Sequence, residues 1–283
     1  MLQPTSEQLA LLSSCERFGY LLGDFWNRYM RWFAVLWNST FMVFVTWLTV
    51  ARRIEVRGLD HVLAVDRDRG VILVANHRSF FDFFVVCSAL FKWTRVPRRV
   101  MFPVRASFFY ETPLGVVLNM LMSSMAMFPP IMRMPSKRDF NQFALERCVQ
   151  EVQRRRTVLG IHPEGSRGRS EDPFHVHPGK LGMGRVVLAA NRAQVIPLFV
   201  TGVSNNLLTE LRRNWFARSR YPIHLRFGAP VPLADLRARP DERSAQRDAV
   251  DRCMARVSEL ADECREEFAP RAPEPRRLAL VDS

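Results

Sequence analysis

The sequence predicts an α/β protein, with a mainly parallel central sheet covered by helices and an N-terminal helical pair ahead of it. Three observations predict this. From Ile54 onward, short apolar β-rich runs alternate with helical ones, which is the pattern of parallel strands joined by helical crossovers. Two of those runs end in polar elbows, each with a histidine at its start. Before them lies an aromatic-rich stretch, residues 32–50, with no charged side chain.

The elements follow in order. Residues 6–23 read as an amphipathic helix with Ser6 as its N-cap. Residues 32–50 are just long enough to cross a bilayer, for which ~20 apolar residues are needed. Their arginine flanks are balanced, however, with Arg28 and Arg31 before and Arg52, Arg53 and Arg57 after. A span oriented by charge shows an excess on one side. Trp32, Trp37 and Trp47 recur along the run, and Asn38-Ser39-Thr40 interrupts it. Both features suit an interfacial position. Residues 6–50 are therefore expected to form a membrane-associated pair of helices embedded in one leaflet. Strands are expected at 54–57, 71–75, 99–104, 157–161, 194–201 and 223–228, and helices near 80–91, 107–125, 137–154, 180–191 and 241–267. The tail from Pro270, rich in proline and paired arginines, is expected to be disordered. This divides the chain into N-terminal helices (1–53), a main domain (54–268) and a tail (269–283).

Composition narrows the function. The 283 residues suit one large domain with appendages, and the formal net charge of +13 implies an anionic partner. The arginines are scattered rather than striped, and no nucleic-acid fold signature is present, so a nucleic-acid-binding protein is the disfavoured class. The five cysteines form no CxxC pair, which argues for free thiols in a reducing compartment and against a zinc site. The first apolar run starts too late for a secretory signal and is followed by no small-residue cleavage site. His175 and His177 have no third ligand nearby and read as loop residues, so no metal is expected. The glycines of Gly179-Lys180-Leu181-Gly182-Met183-Gly184 fit neither nucleotide-binding fingerprint.

The chemistry concentrates in the two elbows. The first is Asn76-His77-Arg78-Ser79-Phe80-Phe81-Asp82, between the run ending at Ala75 and the apolar run from Phe83. A histidine near neutrality can take a proton from a hydroxyl, and a carboxylate beside it can hold the tautomer and stabilise the imidazolium. The second is His162-Pro163-Glu164-Gly165-Ser166-Arg167, after the strand at 157–161. Each residue alone has an ordinary structural reading; the combination and order of the two elbows point to one active site.

That combination resembles the glycerolipid acyltransferases, most closely the PlsC-type 1-acyl-sn-glycerol-3-phosphate acyltransferase family. The block Asn-His-x-x-x-x-Asp is complete at Asn76 to Asp82. The block Phe-Pro-Glu-Gly-Thr-Arg appears as His162 to Arg167, with Ser166 for Thr and His162 for an aromatic or apolar residue. An apolar strand with an internal proline, here Pro197, forms a further block. Arg105 with Pro113-Leu114-Gly115, and Arg133 after Phe128, match the intervening region loosely. The likeness covers roughly residues 55–230.

The resemblance implies direct acyl transfer to a lysophospholipid acceptor, with lysophosphatidic acid leading. His77 is the implied general base and Asp82 its orienting partner. Arg167, with the Gly165-Ser166 backbone, is implied to hold the acceptor phosphate, with Arg105 and Arg133 as further basic candidates. Asn76 and Ser79 are expected to shape the elbow, and Asn76 is a candidate to polarise the thioester carbonyl. Two roles stay open for Glu164: binding the glycerol hydroxyl or ordering Arg167. The implied donor is acyl-CoA or acyl-carrier protein, a co-substrate, with no cofactor. The implied location is the cytoplasmic face of the inner (plasma) membrane, against a phospholipid bilayer. Another lysolipid, a lyso-aminolipid or glycerol phosphate is the alternative acceptor. Residues Leu114 to Phe128 read either as lining an acyl-chain path or as a buried core helix.

Overall fold

The computed structural model describes residues 2–268 apart from 67, 95, 96, 98 and 169; the expected tail from Pro270 lies outside the described residues. Among the described residues there are eight strands: β1 (Ile54–Arg57), β2 (Val71–Ala75), β3 (Arg99–Met101), β4 (Val104–Arg105), β5 (Pro130–Ile131), β6 (Thr157–Ile161), β7 (Gln194–Thr201) and β8 (Ile223–Phe227). Six of them form one sheet in the order β1-β8-β7-β2-β6-β3, while β4 and β5 make a small separate ladder. Neighbours are parallel except β7 and β8, which run antiparallel. Every residue of β2, β6 and β8 is buried, so helices cover both faces of the sheet there. The strand expected at 99–104 stops at Met101, and the chain then enters β4.

The helices are α1 (Ser6–Ala10), α2 (Ser14–Tyr29), α3 (Arg31–Trp37), α4 (Val43–Thr49), α5 (Leu59–Leu63), α6 (Asp82–Trp93), α7 (Ala106–Phe109), α8 (Pro113–Ser123), α9 (Arg138–Val152), α10 (Leu181–Ala189), α11 (Leu207–Phe216) and α12 (Arg243–Phe268). Because β2, β6 and β7 are parallel, the loops that leave them gather at one edge of the sheet. In such sheets this carboxyl edge is where ligands bind.

Two expected helices are broken. The helix at 6–23 divides because Ser13 and Glu16 form a capping box that starts α2, which then runs on to Tyr29. The helix at 107–125 divides because Thr112 caps α8 through the Gly115 N–H, with Pro113 in its first turn. The apolar run is continuous from Arg31 to Thr49, with a π-helical stretch at Asn38–Met42. The N-terminal region is therefore a pair of long helices, α2 and the run from Arg31 to Thr49, with the short α1 ahead of them.

Helix α2 is inverted relative to an ordinary surface helix. Its inward face carries Glu16, Gly19, Tyr20, Gly23, Asp24 and Asn27. Phe18, Leu21, Phe25 and Tyr29 stand outside, each at least 45% exposed. The inward charges are paired: Glu16 with Lys137 at 2.6 Å, and Asp24 with Arg28 at 2.8 Å and Arg147 at 3.0 Å. Tyr20 is fully buried and meets Phe128, Phe140 and Phe143 with ring centroids 5.3–6.0 Å apart. Residues before Ile54 thus contribute to the core shared with the sheet domain.

Candidate active site

The first elbow joins β2 to α6. Asn76, immediately after β2, is fully buried and mimics a strand residue: its amide nitrogen donates to the Val200 carbonyl at 2.9 Å and its amide oxygen accepts from the Val200 N–H at 2.7 Å. Both polar atoms are occupied, so the expectation that Asn76 polarises a thioester carbonyl is corrected; it positions the elbow.

His77 follows with its side chain 24% exposed, whereas Asp82, in the first turn of α6, is 1% exposed. The two meet at 3.0 Å between Nδ1 and Oδ2. The same Oδ2 accepts the backbone N–H groups of Arg78 and Ser79, each at 2.9 Å. This oxygen thus faces donors on every side, at the N-terminus of a helix. Nδ1 of His77 therefore carries its proton toward Asp82, and Nε2 presents the free lone pair. This is the arrangement of a general base with an orienting carboxylate.

Ser79 does not face outward. Its hydroxyl donates to the Ser204 carbonyl at 3.0 Å and accepts from the Phe81 N–H at 3.1 Å. Like Asn76, it holds the elbow rather than touching a ligand. Asn205 completes that hold: its side-chain oxygen accepts from the Phe80 N–H at 2.8 Å and from the Arg167 guanidinium at 3.1 Å.

The second elbow follows β6 and lies against the first. Gly160 in β6 leaves room for Phe102, whose ring carbons stand 2.0 Å from where a Cβ would be. The His162 ring lies flat on His77, with centroids 4.2 Å apart and planes 17° apart. His162 Nδ1 faces the Asn76 carbonyl at 2.8 Å and the Ala75 carbonyl at 3.3 Å, so it bears the proton. Burial, then the neighbouring His77, push its pKa down to about 4, which keeps it neutral.

Glu164 is buried and turned inward. Its two oxygens accept the backbone N–H groups of His77 at 3.4 Å and His177 at 3.2 Å. Burial pushes its pKa up to about 7. The suggestion that Glu164 orders Arg167 is corrected, because Asn205 is the partner of that guanidinium. The Gly168 N–H donates to the His77 carbonyl at 2.8 Å, which stitches the two elbows together.

Arg167 is exposed beside this seam and has no acidic partner among the described residues. Gly165 turns the chain with φ +66°, and the Lys180 side chain packs over it, 3.0 Å from where a Cβ would stand. Lys180 is thus a further cation at the elbow. Arg78, by contrast, is bonded to the Ser170 carbonyl at 2.9 Å.

Arg105 ends β4, opposite Ile131 in the β4–β5 ladder, and Arg133 lies two residues beyond Ile131. Burial and then Arg133 lower the pKa of Arg105, so the two cations lie close enough to repel. Helix α7 begins directly after Arg105, and its Phe108 and Phe109 pack on Phe80 of the first elbow at 5.2 and 5.8 Å. This links the arginine pair to the same edge of the sheet. Pro197 is corrected as a contact residue: it is buried within β7, opposite Val74.

Comparison with known proteins agrees with this architecture. The acyltransferase family profile matches residues 53–201, just over half of the 283 residues, and the chain belongs to that family. The crystal structure of the 1-acyl-sn-glycerophosphate (LPA) acyltransferase PlsC from Thermotoga maritima is similar in fold, with a TM-score of 0.50 and 16% identity over 93% of this chain and 98% of that one. No curated protein sequence matches.

Proposed function

We propose that this acyltransferase moves a fatty acyl group from acyl-CoA or acyl-carrier protein to the free hydroxyl of a phosphate-bearing lysolipid, with lysophosphatidic acid the leading acceptor and phosphatidic acid the product. The observation that carries the reading is the His77–Asp82 pair, with the base partly open to solvent beside Arg167, which has no acidic partner among the described residues. Nε2 of His77 takes the hydroxyl proton as the oxygen attacks the thioester carbonyl. The C–S bond then breaks, and the imidazolium returns the proton to the leaving thiolate. Asp82 balances the transient charge. Arg167, Lys180 and the Arg105–Arg133 pair supply cations for the acceptor phosphate and the anionic donor. A planar guanidinium suits a pair of phosphate oxygens.

The acceptor and product are membrane lipids, and the surface supports docking on a bilayer. The helix Arg31–Thr49 is long and apolar enough to cross a membrane (mean hydropathy 1.3), yet only 22% of its apolar window is buried. Trp32, Leu36, Phe41, Phe44 and Trp47 along it are 44–62% exposed. The outer stripe of α2 joins them, as do Leu114, Val117 and Leu121 of α8 at 53–68%. Exposed apolar area of this extent marks an interaction surface. In this reading α8 belongs to the membrane face. We place the catalytic edge on the cytoplasmic side, where a soluble thioester is available.

Incubating the purified protein with labelled oleoyl-CoA and a panel of lysolipids tests the assignment. Labelled phosphatidic acid from lysophosphatidic acid is expected. Transfer only to another lysolipid or to glycerol phosphate would replace the acceptor, and no thioester consumption with any acceptor would overturn the reaction.

A further inference from the structure

Helix α11 is an unusual piece of surface. Its inward face carries Glu210 and Asn214, both fully buried. Its outward face carries Leu208, Arg212, Trp215 and Phe216, which lie within one arc at 100° per residue. Leu208 is 77% exposed, Phe216 86% and Trp215 39%. Arg212 sits among them with no acidic partner among the described residues, and the following turn, Arg218–Arg220, adds two exposed arginines.

This face is continuous with the apolar helix. The Asn214 amide donates to the carbonyls of Trp47 at 3.1 Å and Leu48 at 2.9 Å, and the Trp215 indole N–H donates to the Leu48 carbonyl at 2.8 Å. The Trp47 and Trp215 rings meet edge to face at 5.7 Å, and Arg52 lies over Trp215 at 4.7 Å. The partly exposed sides of the two indoles therefore form one surface.

The geometry points to α11 as a second membrane-docking element, built into the catalytic domain, whose Leu208, Trp215 and Phe216 enter the interface of an anionic phospholipid surface while Arg52, Arg212, Arg218 and Arg220 meet the headgroups. The inference deepens the membrane reading above and rests on it. An amphipathic helix with Trp, Phe and Leu on one face and arginines among and beside them has the composition of an interfacial anchor. It is also wired to the site. Glu210 of α11 accepts the Ser204 N–H at 3.1 Å, and Ser204 and the adjacent Asn205 hold Ser79, Phe80 and Arg167. Docking of α11 would set the first elbow and Arg167 at a fixed height above the lipid.

The test uses the full chain with Cys15, the half-buried cysteine, replaced by serine; the other four are buried. Single cysteines at Phe44 (F44C) and Phe216 (F216C) carry an environment-sensitive fluorophore. Phosphatidylcholine vesicles with and without phosphatidylglycerol are then added. Blue-shifted emission at both sites is expected, with the larger response at position 216 on the anionic vesicles. A shift at 44 with a water-like signal at 216 would overturn the α11 inference and leave the membrane reading intact. No shift at either site would remove both. A blue shift at 216 that grows with protein concentration and needs no vesicles would assign the face to a second copy of the chain instead. As a second readout, Leu208→Ser/Phe216→Ser should lose roughly tenfold in activity on a vesicle-borne acceptor, equivalent to ~1.4 kcal/mol of docking. Its activity on a short-chain, water-soluble acceptor should be unchanged. Equal activity on both acceptors, or equal loss on both, would refute docking through this face.

Discussion

His162 lies flat against His77, with ring centroids 4.2 Å apart and the planes within 17°. The outer ring bears the free Nε2 and pairs with Asp82, while the inner ring is pinned to the Asn76 carbonyl. The inner ring forms the floor under the base. In the proposed mechanism a neutral His162 would let His77 accept a proton without a facing charge.

This gives a pH prediction. The ordinary value for His162 is 6.5 and the folded value is about 4. A depressed histidine contributes stability that is present above the ordinary value and is lost as pH falls through the folded one, because the unfolded chain takes up a proton that the folded chain refuses. His162→Phe should keep the stack and remove that loss. Denaturant midpoints of variant and wild type should converge, or cross in the variant's favour, between pH 6.5 and 4. A constant difference across that window would mean that His162 does not titrate with folding.

Glu164 predicts the opposite slope. Its ordinary value is 4.5 and its folded value about 7. A raised carboxyl contributes stability that is fully present below 4.5 and is lost as pH rises through about 7. Glu164→Gln sacrifices one of two backbone contacts, so it should be less stable than wild type in acid. The deficit should shrink as pH rises through that window. A deficit that widens with pH would show that the ionised carboxylate is the favoured form.

The dyad predicts a kinetic result. His77→Ala should leave the protein folded, with a rate lower by ~10²–10⁴, the range for a lost general base. Asp82→Asn retains an oxygen for the Arg78 and Ser79 N–H groups and loses the charge. It should therefore fold normally and turn over slowly, whereas Asp82→Ala should also lose stability. Wild-type thioester release by His77→Ala would rule out this base.

The phosphate reading predicts a split between substrates. Arg167→Lys keeps the charge but loses the planar fork, so acceptor KM should rise by roughly tenfold or more while donor KM barely moves. Asn205→Ala should raise acceptor KM too and also lower kcat, because it releases Phe80 together with Arg167. A rise confined to the donor would move the phosphate site toward Arg105 and Arg133.

The inverted α2 predicts that the N-terminal helices are inseparable from the rest. Tyr20→Ala should destabilise the whole protein by ~3–5 kcal/mol, the cost of truncating a large buried aromatic. Unfolding should stay a single transition by both near- and far-ultraviolet circular dichroism. Two separated transitions would make residues before Ile54 an independent unit.

Much of this was legible in the residues. The strands at 54–57, 71–75, 157–161 and 194–201 have the bounds expected of them, because short β-rich runs between polar breaks allow little choice. The two elbows and the His77–Asp82 pair followed from motif and order. Helix α11 did not, because its apolar residues face outward and its interior carries Glu210 and Asn214. The cue was Asn206, whose side chain caps the helix by accepting the Thr209 N–H. Asn205 was missed because a lone asparagine after a strand looks like any turn residue. The roles of Asn76 and Glu164 depend on partners more than eighty residues away, Val200 for one and the His77 N–H for the other, and no local pattern reports those.

Asn76 has a wider consequence. By exchanging both hydrogen bonds with Val200, it ties the loop that bears the base to one rung of a neighbouring strand. A one-residue slip of β7 against β2 would present a different amide and carbonyl and swing that loop out of alignment. The dyad is therefore not a portable cassette. Transplanted into another sheet, residues 76–82 would carry their chemistry and lose their aim unless the receiving strand offered a free N–H and C=O at the matching height.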